Sequence, residues 1–354
     1  MSSKQVLILG TAARGGIQSV IEAYNEAGFY SPGSSRFIPT HVEGGMWIRV
    51  RTASRAFAVV GMLLLRSRVS LLHLHMSMRG SFWRKALFLL LGRLKGVPVI
   101  IHLHGSEFEL FYRGSDVLTR RVIRGVFNRA ADVVVLSESW RRFVGNLTTT
   151  PVTVVGNFVP DRFDPSRAKR IREPRAVLFL GQFGRRKGVY DLLEAFVTVR
   201  QHVPDAILYC CGNGEVERTR SMVLELGLSG GVEVPGWIDG NEKLELLHRC
   251  ALFVLPSYNE GLPMAIIEAM SFSMAIASTN VGGIPELVDE RNGKLVEPGD
   301  QTALARSLIQ LLENDGEDIA EKGKVSRERY EAEYSPKAAL TRMHRVYSSL
   351  GIEP

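Results

Sequence analysis

The stretch LFVLPSYNEGLPMAIIE, residues 252–268, combines a strand-like run, a turn and the start of a helix. Leu252–Leu255 is apolar and short, as a sheet strand between helices is. The helix is predicted to open at Pro263, because proline lacks the amide proton that would be unpaired there. The remaining free amides and the positive end of the helix dipole favour an anion such as a pyrophosphate. This unit therefore predicts a parallel sheet with an anion site at its carboxyl edge.

Two carboxylates, Glu260 and Glu268, bracket this turn. Glu268 lies about one and a half turns into the predicted helix, where its oxygens can accept hydrogen bonds from a ribose diol. Glu260 lies on the loop, near a sugar attached to the same phosphate. Acidic residues are common near helix starts, so the pair on its own indicates little. Its interpretation depends on the rest of the chain.

The whole chain alternates short strand-like runs with longer helical segments. This pattern predicts two doubly wound, Rossmann-like α/β domains with parallel sheets, facing each other across a cleft. The predicted strands are Val6–Leu9, Leu71–His75, Val97–Leu103, Val133–Leu136 and Val152–Val155, then Ala176–Leu180, Ile207–Cys210, Val232–Val234, Leu252–Leu255 and Ala275–Ser278. Helices are predicted near residues 17–28, 79–95, 116–130 and 138–145 of the first half.

The segment Pro160–Pro174 has three prolines and many charges and is predicted to link the two domains. We therefore place the first domain at residues 1–165 and the second at 166–334. Residues 335–354, introduced by Ser335-Pro336, are predicted to form a closing helix that packs back on the first domain.

The chain has 354 residues and 45% hydrophobic content, enough for two cores. Its three cysteines, Cys210, Cys211 and Cys250, lack metal-ligand spacing and are predicted to be reduced, buried thiols. No signal peptide precedes the first predicted strand. The longest apolar runs, Ala56–Leu65 and Ala86–Leu91, fall well short of the ~20 residues that span a bilayer. We expect a cytoplasmic protein, either soluble or peripheral on the inner face of the membrane.

The net charge of +7 is divided unevenly between the halves. Residues 1–155 hold 20 Lys and Arg against 8 Asp and Glu, a balance of +12. Residues 156–354 hold 24 against 29, a balance of −5. The first half is therefore expected to meet an anionic partner, such as an anionic membrane surface, a phosphorylated acceptor or a nucleic acid.

Two features of the first half lie where strands end. Gly15 and Gly16 follow the first strand and let backbone approach a phosphate, although the dinucleotide pattern G-x-G-x-x-G is absent and such glycines are often structural. His102 and His104 share one face of a strand, so a metal pair deserves consideration. No Asp, Glu or Cys cluster completes it, and no metal is expected. His104 is predicted to contact substrate and His102 to be structural.

The second half offers further candidate loops. Gly181–Gly188 brings Arg185, Arg186 and Lys187 to a strand end as a diphosphate cradle, or else as a solvated basic turn; it is not a Walker A loop. Trp237 and Ile238 follow a strand, where the indole either flanks a nucleobase or joins the core. The turn Gly282-Gly283 precedes a short helix and is a further candidate contact with sugar or phosphate.

Residues 79–95 of the first half combine Phe82, Trp83 and an apolar block with five Lys or Arg. A basic, aromatic, amphipathic helix is typical of a membrane-surface segment. The alternative is a helix that covers the sheet with one face and exposes its charges to water with the other.

Taken together, these segments resemble the retaining glycosyltransferases of family 4, which have the GT-B fold. The resemblance runs nearly end to end, and the order and spacing of its pieces are specific. The matching segments are Gly15-Gly16, His104-Gly105, Ala131–Ser137, Asn157, Lys187-Gly188, Gly212–Gly214, Pro256-Ser257, Glu260–Glu268 and Gly282–Glu286.

The resemblance implies that the second domain holds a nucleotide-diphosphate-sugar donor and the first a polysaccharide, glycolipid or polyprenyl-linked acceptor. It implies Glu260, His104 and Lys187 as catalytic groups, with no cofactor and no metal. Donor contacts are implied at Gly16, Arg185, Arg186, Lys187, Trp237, Ile238, Gly261, Leu262, Pro263 and Glu268. Lys187 would neutralise the departing diphosphate and Glu268 would hold the ribose.

The chain departs from the family pattern in a few places. Many relatives have Arg where this chain has Gln182, so Arg185 or Arg186 is expected to supply that charge. The usual Gly after Asn157 is Phe158, and the segment Ser271–Ala275 lacks the usual Gly and Pro.

Two other function classes remain open at this point. One is a sugar-nucleotide epimerase of the same fold, which would leave the basic first domain unexplained. The other is a non-catalytic nucleotide-sugar or nucleic-acid binder. Nucleic acid is not expected as a partner, since the sequence has no recognition module and no aromatic residues interleaved along a basic groove.

Overall fold

The structure is a computed structural model that describes residues 4–13, 15–31, 33–313 and 316–353. The chain divides into two compact units, one of residues 1–160 with 336–354 and the other of residues 161–335. In the described residues each unit carries one six-stranded sheet covered by helices. All the strand pairings in both sheets are parallel. The predicted α/β architecture is therefore confirmed.

The sheet of the first unit has the strand order β2-β1-β3-β4-β5-β6. Its strands are β1 (Gln5–Thr11), β2 (Ser35–His41), β3 (Val69–Met76), β4 (Val99–Leu103), β5 (Asp132–Val135) and β6 (Val152–Val154). The helices are α1 (Gly16–Glu26), α2 (Met46–Leu65), α3 (Gly80–Leu94), α4 (Phe108–Arg113), α5 (Val117–Phe127) and α6 (Glu138–Gly145). The central strands are buried and mostly apolar, as a sheet covered by helices requires, although His73, His75 and His102 are among their buried residues.

The sheet of the second unit has the order β12-β11-β10-β7-β8-β9. Its strands are β7 (Glu173–Leu180), β8 (Ile207–Cys211), β9 (Val232–Gly236), β10 (Cys250–Leu255), β11 (Ala275–Thr279) and β12 (Gly293–Val296). Its helices are α7 (Pro165–Ile171), α8 (Val189–His202), α9 (Val216–Glu225), α10 (Gly240–Arg249), α11 (Met264–Ser271), α12 (Ile284–Leu287), α13 (Gln301–Glu313) and α14 (Glu317–Arg329). All three cysteines are buried free thiols, as expected.

The last helix, α15 (Pro336–Ser349), belongs to the first unit. Its buried Tyr347 lies with the hydroxyl oxygen 2.8 Å from Nδ1 of His73 on β3. The Tyr347 ring also packs edge-on against Phe29, with 5.2 Å between centroids. Within the described residues, no helix is both long enough and apolar enough to cross a bilayer.

The strand order of the second sheet decides where its loops converge. Strands run outward from the adjacent central pair β7 and β10, so the direction of winding reverses between these two strands. At such a reversal the loops leaving the two carboxyl ends part to opposite faces and leave a crevice, which is where ligands bind in open α/β sheets. The two loops here are residues 181–188 and 256–263.

The structure adds two strands and the helix α2, which the sequence did not predict, and it corrects the linker. The edge strands β2 and β12 were not predicted: Pro39 interrupts the first, as an edge strand tolerates, and the second has only four residues. The supposed linker 160–174 contains α7 and the start of β7, because Asp164 accepts hydrogen bonds from the first amides of a short helix. The sequence marks only the second half of α2, Ala56–Leu65, as an apolar run, and no helix was predicted there.

Candidate active site

Lys187 and Glu260 form an ion pair at the crevice of the second sheet. The Lys187 Nζ donates to Oε1 of Glu260 at 2.5 Å, and the Ser257 hydroxyl donates to the same oxygen at 2.7 Å. The Lys187 side chain is 16% exposed and the Glu260 side chain 7%. Because little water screens the pair, its charges act strongly on anything placed beside them.

Glycine at position 188 brings the two loops into contact. Its φ is +70°, and a Cβ there would lie 2.0 Å from the carbonyl oxygen of Pro256. The amide of Tyr258 donates to the carbonyl of Arg186 at 2.9 Å and ties the same loops together. The loop after β7 therefore presents Lys187 directly to the loop after β10.

A third loop braces Glu260 from the other side. At Gly282, φ is +55° and a Cβ would lie 1.8 Å from the carbonyl oxygen of Glu260. The amide of Gly283 donates to the carbonyl of Gly261 at 2.8 Å. The Thr279 hydroxyl donates to the carbonyl of Ser257 at 2.5 Å. The Glu260 loop is thus held on both sides, which fixes its carboxylate before any ligand arrives.

The helix α11 begins beside this pair, at Met264. Pro263 precedes it as the N-cap with φ −70° and ψ 119°, so the prediction that Pro263 is the first helical residue was wrong by one position. Its extended ψ makes the chain enter the helix only after the proline. Gly261, Leu262 and Pro263 are buried, and the first amides of α11 lie at the end of the helix that favours an anion.

Glu268 lies on α11 and already has a partner that the sequence did not reveal. Lys243 of α10 places its Nζ 2.6 Å from Oε2 of Glu268, and the two side chains are 33% and 23% exposed. The segments are distant in sequence, and a lysine on a solvated helix carries no signal of such a pairing. The Lys243 contact therefore engages Oε2 of Glu268, and the side chain remains partly exposed to solvent.

The basic loop after β7 is held in place by the loop after β8. The amide of Phe183 donates to the carbonyl of Asn213 at 2.6 Å, and a Cβ at Gly212 would lie 1.8 Å from the carbonyl oxygen of Gly181. Arg185 and Arg186 form one turn of 3₁₀ helix with Lys187, and both arginines are exposed. Three cations thus share one turn at the edge of the crevice.

The remaining predicted contacts of the second unit follow β9. Trp237 is 59% exposed and Ile238 is buried, so the indole is available to a planar ligand while the isoleucine belongs to the core. The structure of this unit therefore brings Lys187, Glu260 and the Gly261–Pro263 turn together, with Glu268 one helical turn further along α11.

Gly16 and His104 belong to the first unit. Gly16 opens α1, and a Cβ at this position would meet no atom within 4 Å, so the space beside it is open. His104 follows β4, and its Nε2 lies 2.8 Å from Nδ1 of His75 on β3. Burial, then the proximity of His73, lowers the pKa of His104 to about 3, so its ring is neutral at pH 7.

Sequence reasoning paired His102 with His104 and found nothing to complete a metal site. It missed His73 and His75, which lie on the adjacent strand and face the same side of the sheet. His73, His75 and His102 place one ring nitrogen each within 4.8 Å of one another. The His-x-His spacing of β3 was the available signal, since alternate strand residues share a face.

The basic helix of the first unit has two unlike faces. Phe82, Phe88 and Leu89 of α3 are fully buried against the sheet, whereas Trp83 is 43% exposed. Lys85 is not a surface charge as the sequence suggested. Its side chain is buried, and its Nζ donates to Oγ1 of Thr40 at 2.6 Å. Burial, and then the nearby Arg84, lowers the pKa of Lys85 to about 7.

The chain matches known sequence families over both units. The pattern described as "Glycosyl transferase 4-like domain" matches residues 8–157, and the pattern described as "Glycosyl transferases group 1" matches residues 161–329. WcaL of Escherichia coli, provisionally named a colanic acid biosynthesis glycosyltransferase, is 30% identical over 248 residues. That alignment spans 65% of this chain and 61% of WcaL, less than two thirds of the relative's own length.

Solved structures resemble the chain over almost its whole length. Sucrose-phosphate synthase from Thermosynechococcus elongatus matches with a TM-score of 0.77 and 21% identity, over 98% of this chain and 99% of its own. HepE from Anabaena, in complex with UDP, matches with a TM-score of 0.78 and 16% identity, over 98% and 100%. At these identities the likeness shows the fold alone, and the predicted GT-B fold is confirmed.

Proposed function

The chain belongs to the group 1, family 4 glycosyltransferases, and from this premise we propose that it moves a sugar, with retention, from a nucleotide-diphosphate-sugar donor. The acceptor in this proposal is a polysaccharide, a glycolipid or a polyprenyl-linked glycan. The observation that carries the donor assignment is the Lys187–Glu260 pair beside the start of α11.

The diphosphate is proposed to lie between the basic turn and the start of α11. Lys187 and one of its two arginine neighbours supply fixed positive charge, and the first helix amides supply hydrogen-bond donors. Arg185 and Arg186 are both exposed, so either can replace the charge that relatives have at position 182. The carboxylate of Glu260 is held by Lys187 and Ser257. It would lie beside the transferred sugar and accept hydrogen bonds from its hydroxyls.

Transfer breaks the bond between the anomeric carbon and the diphosphate oxygen, and negative charge develops on the departing diphosphate. Cations and amides already in place stabilise that charge without rearranging during the reaction. The acceptor hydroxyl attacks from the face that the diphosphate leaves, and its proton passes to the leaving phosphate oxygen. Glu260 is paired with a lysine rather than with a second carboxylate, unlike the acid and nucleophile pair of a glycosidase. The proposal needs no metal for this step.

The nucleoside is proposed to extend from the diphosphate along α11. The ribose hydroxyls would donate to Glu268, whose Oε2 is already held by Lys243 at 2.6 Å. This salt bridge orients the carboxylate, which suits it to accept hydrogen bonds from a diol. The exposed indole of Trp237 would stack on the base. The buried side chain of Ile238 would hold the loop backbone beside it in place.

The first unit is proposed to bring the acceptor from an anionic membrane surface. The start of α2 exposes Met46, Trp47, Ile48 and Val50, and Arg49 and Arg51 lie between and beside them. The outer face of α3 exposes Trp83, Leu87, Leu90 and Leu94. The two helices are adjacent, since Phe57 and Phe88 stack at 4.0 Å between centroids. Exposed apolar and aromatic side chains among arginines fit the interface of an anionic bilayer.

A nucleotide panel tests the donor assignment. UDP, GDP, ADP and CMP are added separately to the protein at fixed salt, and thermal unfolding is followed. A ligand at ~100 times its dissociation constant stabilises the native state by about 2.7 kcal/mol, which is on the order of 5–10 °C for a unit of this size. We expect stabilisation by one nucleoside diphosphate. No shift with any of the nucleotides would remove the donor site from the second unit.

A further inference from the structure

Four histidines form a compact array on one face of the first sheet. His73 and His75 lie two residues apart on β3, and His102 and His104 lie two residues apart at the end of β4. The strands are in parallel register with His75 opposite His102. Alternate residues of a strand face the same side, so the rings come together. The centroids of His102 and His104 are 4.1 Å apart, and those of His73 and His75 are 4.7 Å apart.

Three of these rings are completely enclosed. His73, His75 and His102 are each at most 1% exposed. Burial is the largest cause that lowers the pKa of all three, and the pKa of His73 falls to about 3. Their rings are therefore neutral at pH 7 and each retains one nitrogen lone pair, which is the form of imidazole that binds a metal.

The hydrogen bonds of the array leave some nitrogens unused. Nδ1 of His73 lies 2.8 Å from the Tyr347 hydroxyl oxygen, and Nδ1 of His75 lies 2.8 Å from Nε2 of His104. Among the described residues, Nε2 of His75 and Nε2 of His102 have no hydrogen-bond partner. A buried polar atom without a partner is costly, so native proteins normally satisfy it with protein, water or an ion.

We propose that His73, His75 and His102 bind a zinc ion inside the first unit. Their ligand nitrogens already lie within 4.8 Å of one another. The ligand atoms would be Nε2 of each ring, and among the described residues Nε2 of His75 and Nε2 of His102 have no hydrogen-bond partner. Two nitrogens bound to tetrahedral zinc at ~2.05 Å lie about 3.3 Å apart, so spacings of up to 4.8 Å would have to shorten on binding.

The second nitrogens of two ligands are placed as zinc sites require. A metal-bound histidine usually donates its other ring N–H to an acceptor, which fixes the ring. Nδ1 of His73 meets the Tyr347 hydroxyl and Nδ1 of His75 meets His104, so Nε2 of both rings would face the ion, which would replace the 3.2 Å contact between Nε2 of His73 and Nδ1 of His102. A donor set of imidazoles without carboxylates selects zinc over Mg²⁺ or Ca²⁺, which prefer oxygen.

The site has a structural consequence for His104, which the sequence predicts to contact substrate. The ion would fix His75, and the His75 ring holds His104 through their 2.8 Å contact. It would also tie β3 and β4 to Tyr347 of the closing helix α15. The zinc proposal does not depend on the transferase chemistry, because metal content can be measured without any sugar donor.

The test uses the full chain with an affinity tag that contains no histidine. The protein is stripped with a chelator, loaded with Zn²⁺, desalted and assayed for metal and for thermal unfolding. We expect about one zinc per chain and a higher melting temperature with Zn²⁺ but not with Mg²⁺. His75→Gln and His102→Gln should lose the zinc, whereas His202→Gln, at an exposed position of the second unit, should retain it.

Two results would overturn the proposal. One is a loaded wild-type protein that carries no zinc, and the other is zinc retained by both core variants. If those variants fail to fold, Co²⁺ replaces Zn²⁺ in the wild-type chain and visible absorption is recorded. Strong d–d bands of a tetrahedral nitrogen site support the proposal. Weak bands of solvated Co²⁺ alone contradict it.

Discussion

Lys187 and Glu260 are 73 residues apart in the chain, yet their charged atoms lie 2.5 Å apart at the two central strands of the second sheet. The pair lies where the winding of the sheet reverses, so both residues reach it from loops that must converge. Isolated ion pairs of this kind add little net stability, because burial costs each charge its hydration. In the proposed function, the pair holds charge ready for a ligand.

Replacing Glu260 tests its role at the sugar. We expect Glu260→Gln to lower kcat by at least ~100-fold, by analogy with the loss of one stabilising group at a reacting centre. Nucleotide affinity, measured by calorimetry, should change little, because the diphosphate and nucleoside contacts remain. The exposed Glu217 of α9 provides the matched control, Glu217→Gln, which should keep its kcat. Wild-type turnover in Glu260→Gln would exclude the residue from the site.

A backbone substitution tests how the loops are held. Gly188→Ala places a methyl group 2.0 Å from the Pro256 carbonyl oxygen at a φ of +70°. We expect a loss of ~1–3 kcal/mol or more in the free energy of unfolding, measured by urea titration. Gly230→Ala is the control, since a Cβ there meets nothing within 4 Å and its φ is not left-handed. Equal stability of the two variants would contradict the close approach of the loops.

The stability of the first unit should depend on pH through Asp132. Burial raises the pKa of Asp132 to about 6, against the hydrogen bonds of Thr153, and Oδ1 has no partner among the described residues. The folded state therefore holds a proton that the unfolded state releases, and stability rises as pH falls from about 6 to about 4.

Replacing Asp132 with Asn tests the direction of this pH dependence. Asp132→Asn removes the buried charge, so it should raise the melting temperature near neutral pH, and the gain should shrink as pH falls toward about 4. The exposed Asp239, replaced in the same way, should show no such trend. A gain independent of pH would mean that folding does not raise the pKa of Asp132.

The proposed membrane surface depends on its exposed indoles. Trp47→Ala and Trp83→Ala together should weaken sedimentation with vesicles that contain anionic lipid. Binding of the wild-type chain should also fall with added salt, since arginines contribute. Trp237→Ala removes an indole of the second unit, whose exposure lies between those of Trp47 and Trp83, and should bind vesicles normally. If the double variant binds vesicles as well as the Trp237→Ala variant does, α2 and α3 do not form the contact surface.

Much of the fold was readable because each strand and helix has a local pattern. The alternation of apolar runs gave the central strands, and the glycines at strand ends gave the loops. Edge strand β2 was not predicted, because Pro39 breaks the strand pattern of its sequence and because its pairing with β1 depends on distant residues. Edge strands need fewer hydrogen bonds and carry weaker sequence signals.

The sequence predicted the candidate site residues from their own positions in the chain, but it did not predict their contacts with one another. Glu260, Lys187 and Glu268 were found from their place in βα units. Ser257 and Lys243 were missed, because a serine hydroxyl or a helix lysine gives no sign of the carboxylate that it meets in space. Lys85 was misplaced for the same reason: its partner Thr40 lies 45 residues earlier, and a charged residue is rarely buried.

The most direct test of the site compares two ligands. One is the nucleoside diphosphate that stabilises the protein in the thermal-unfolding panel, and the other is its parent nucleoside. Both are titrated calorimetrically into wild type and Lys187→Ala at one salt concentration, with Lys169→Ala as an exposed control. Charge-assisted contacts to phosphate contribute about 1.5–3 kcal/mol, so the variant should bind the diphosphate about 10- to 100-fold more weakly and the nucleoside equally well. Unchanged diphosphate affinity, or equal losses for both ligands, would contradict the claim that Lys187 binds the diphosphate.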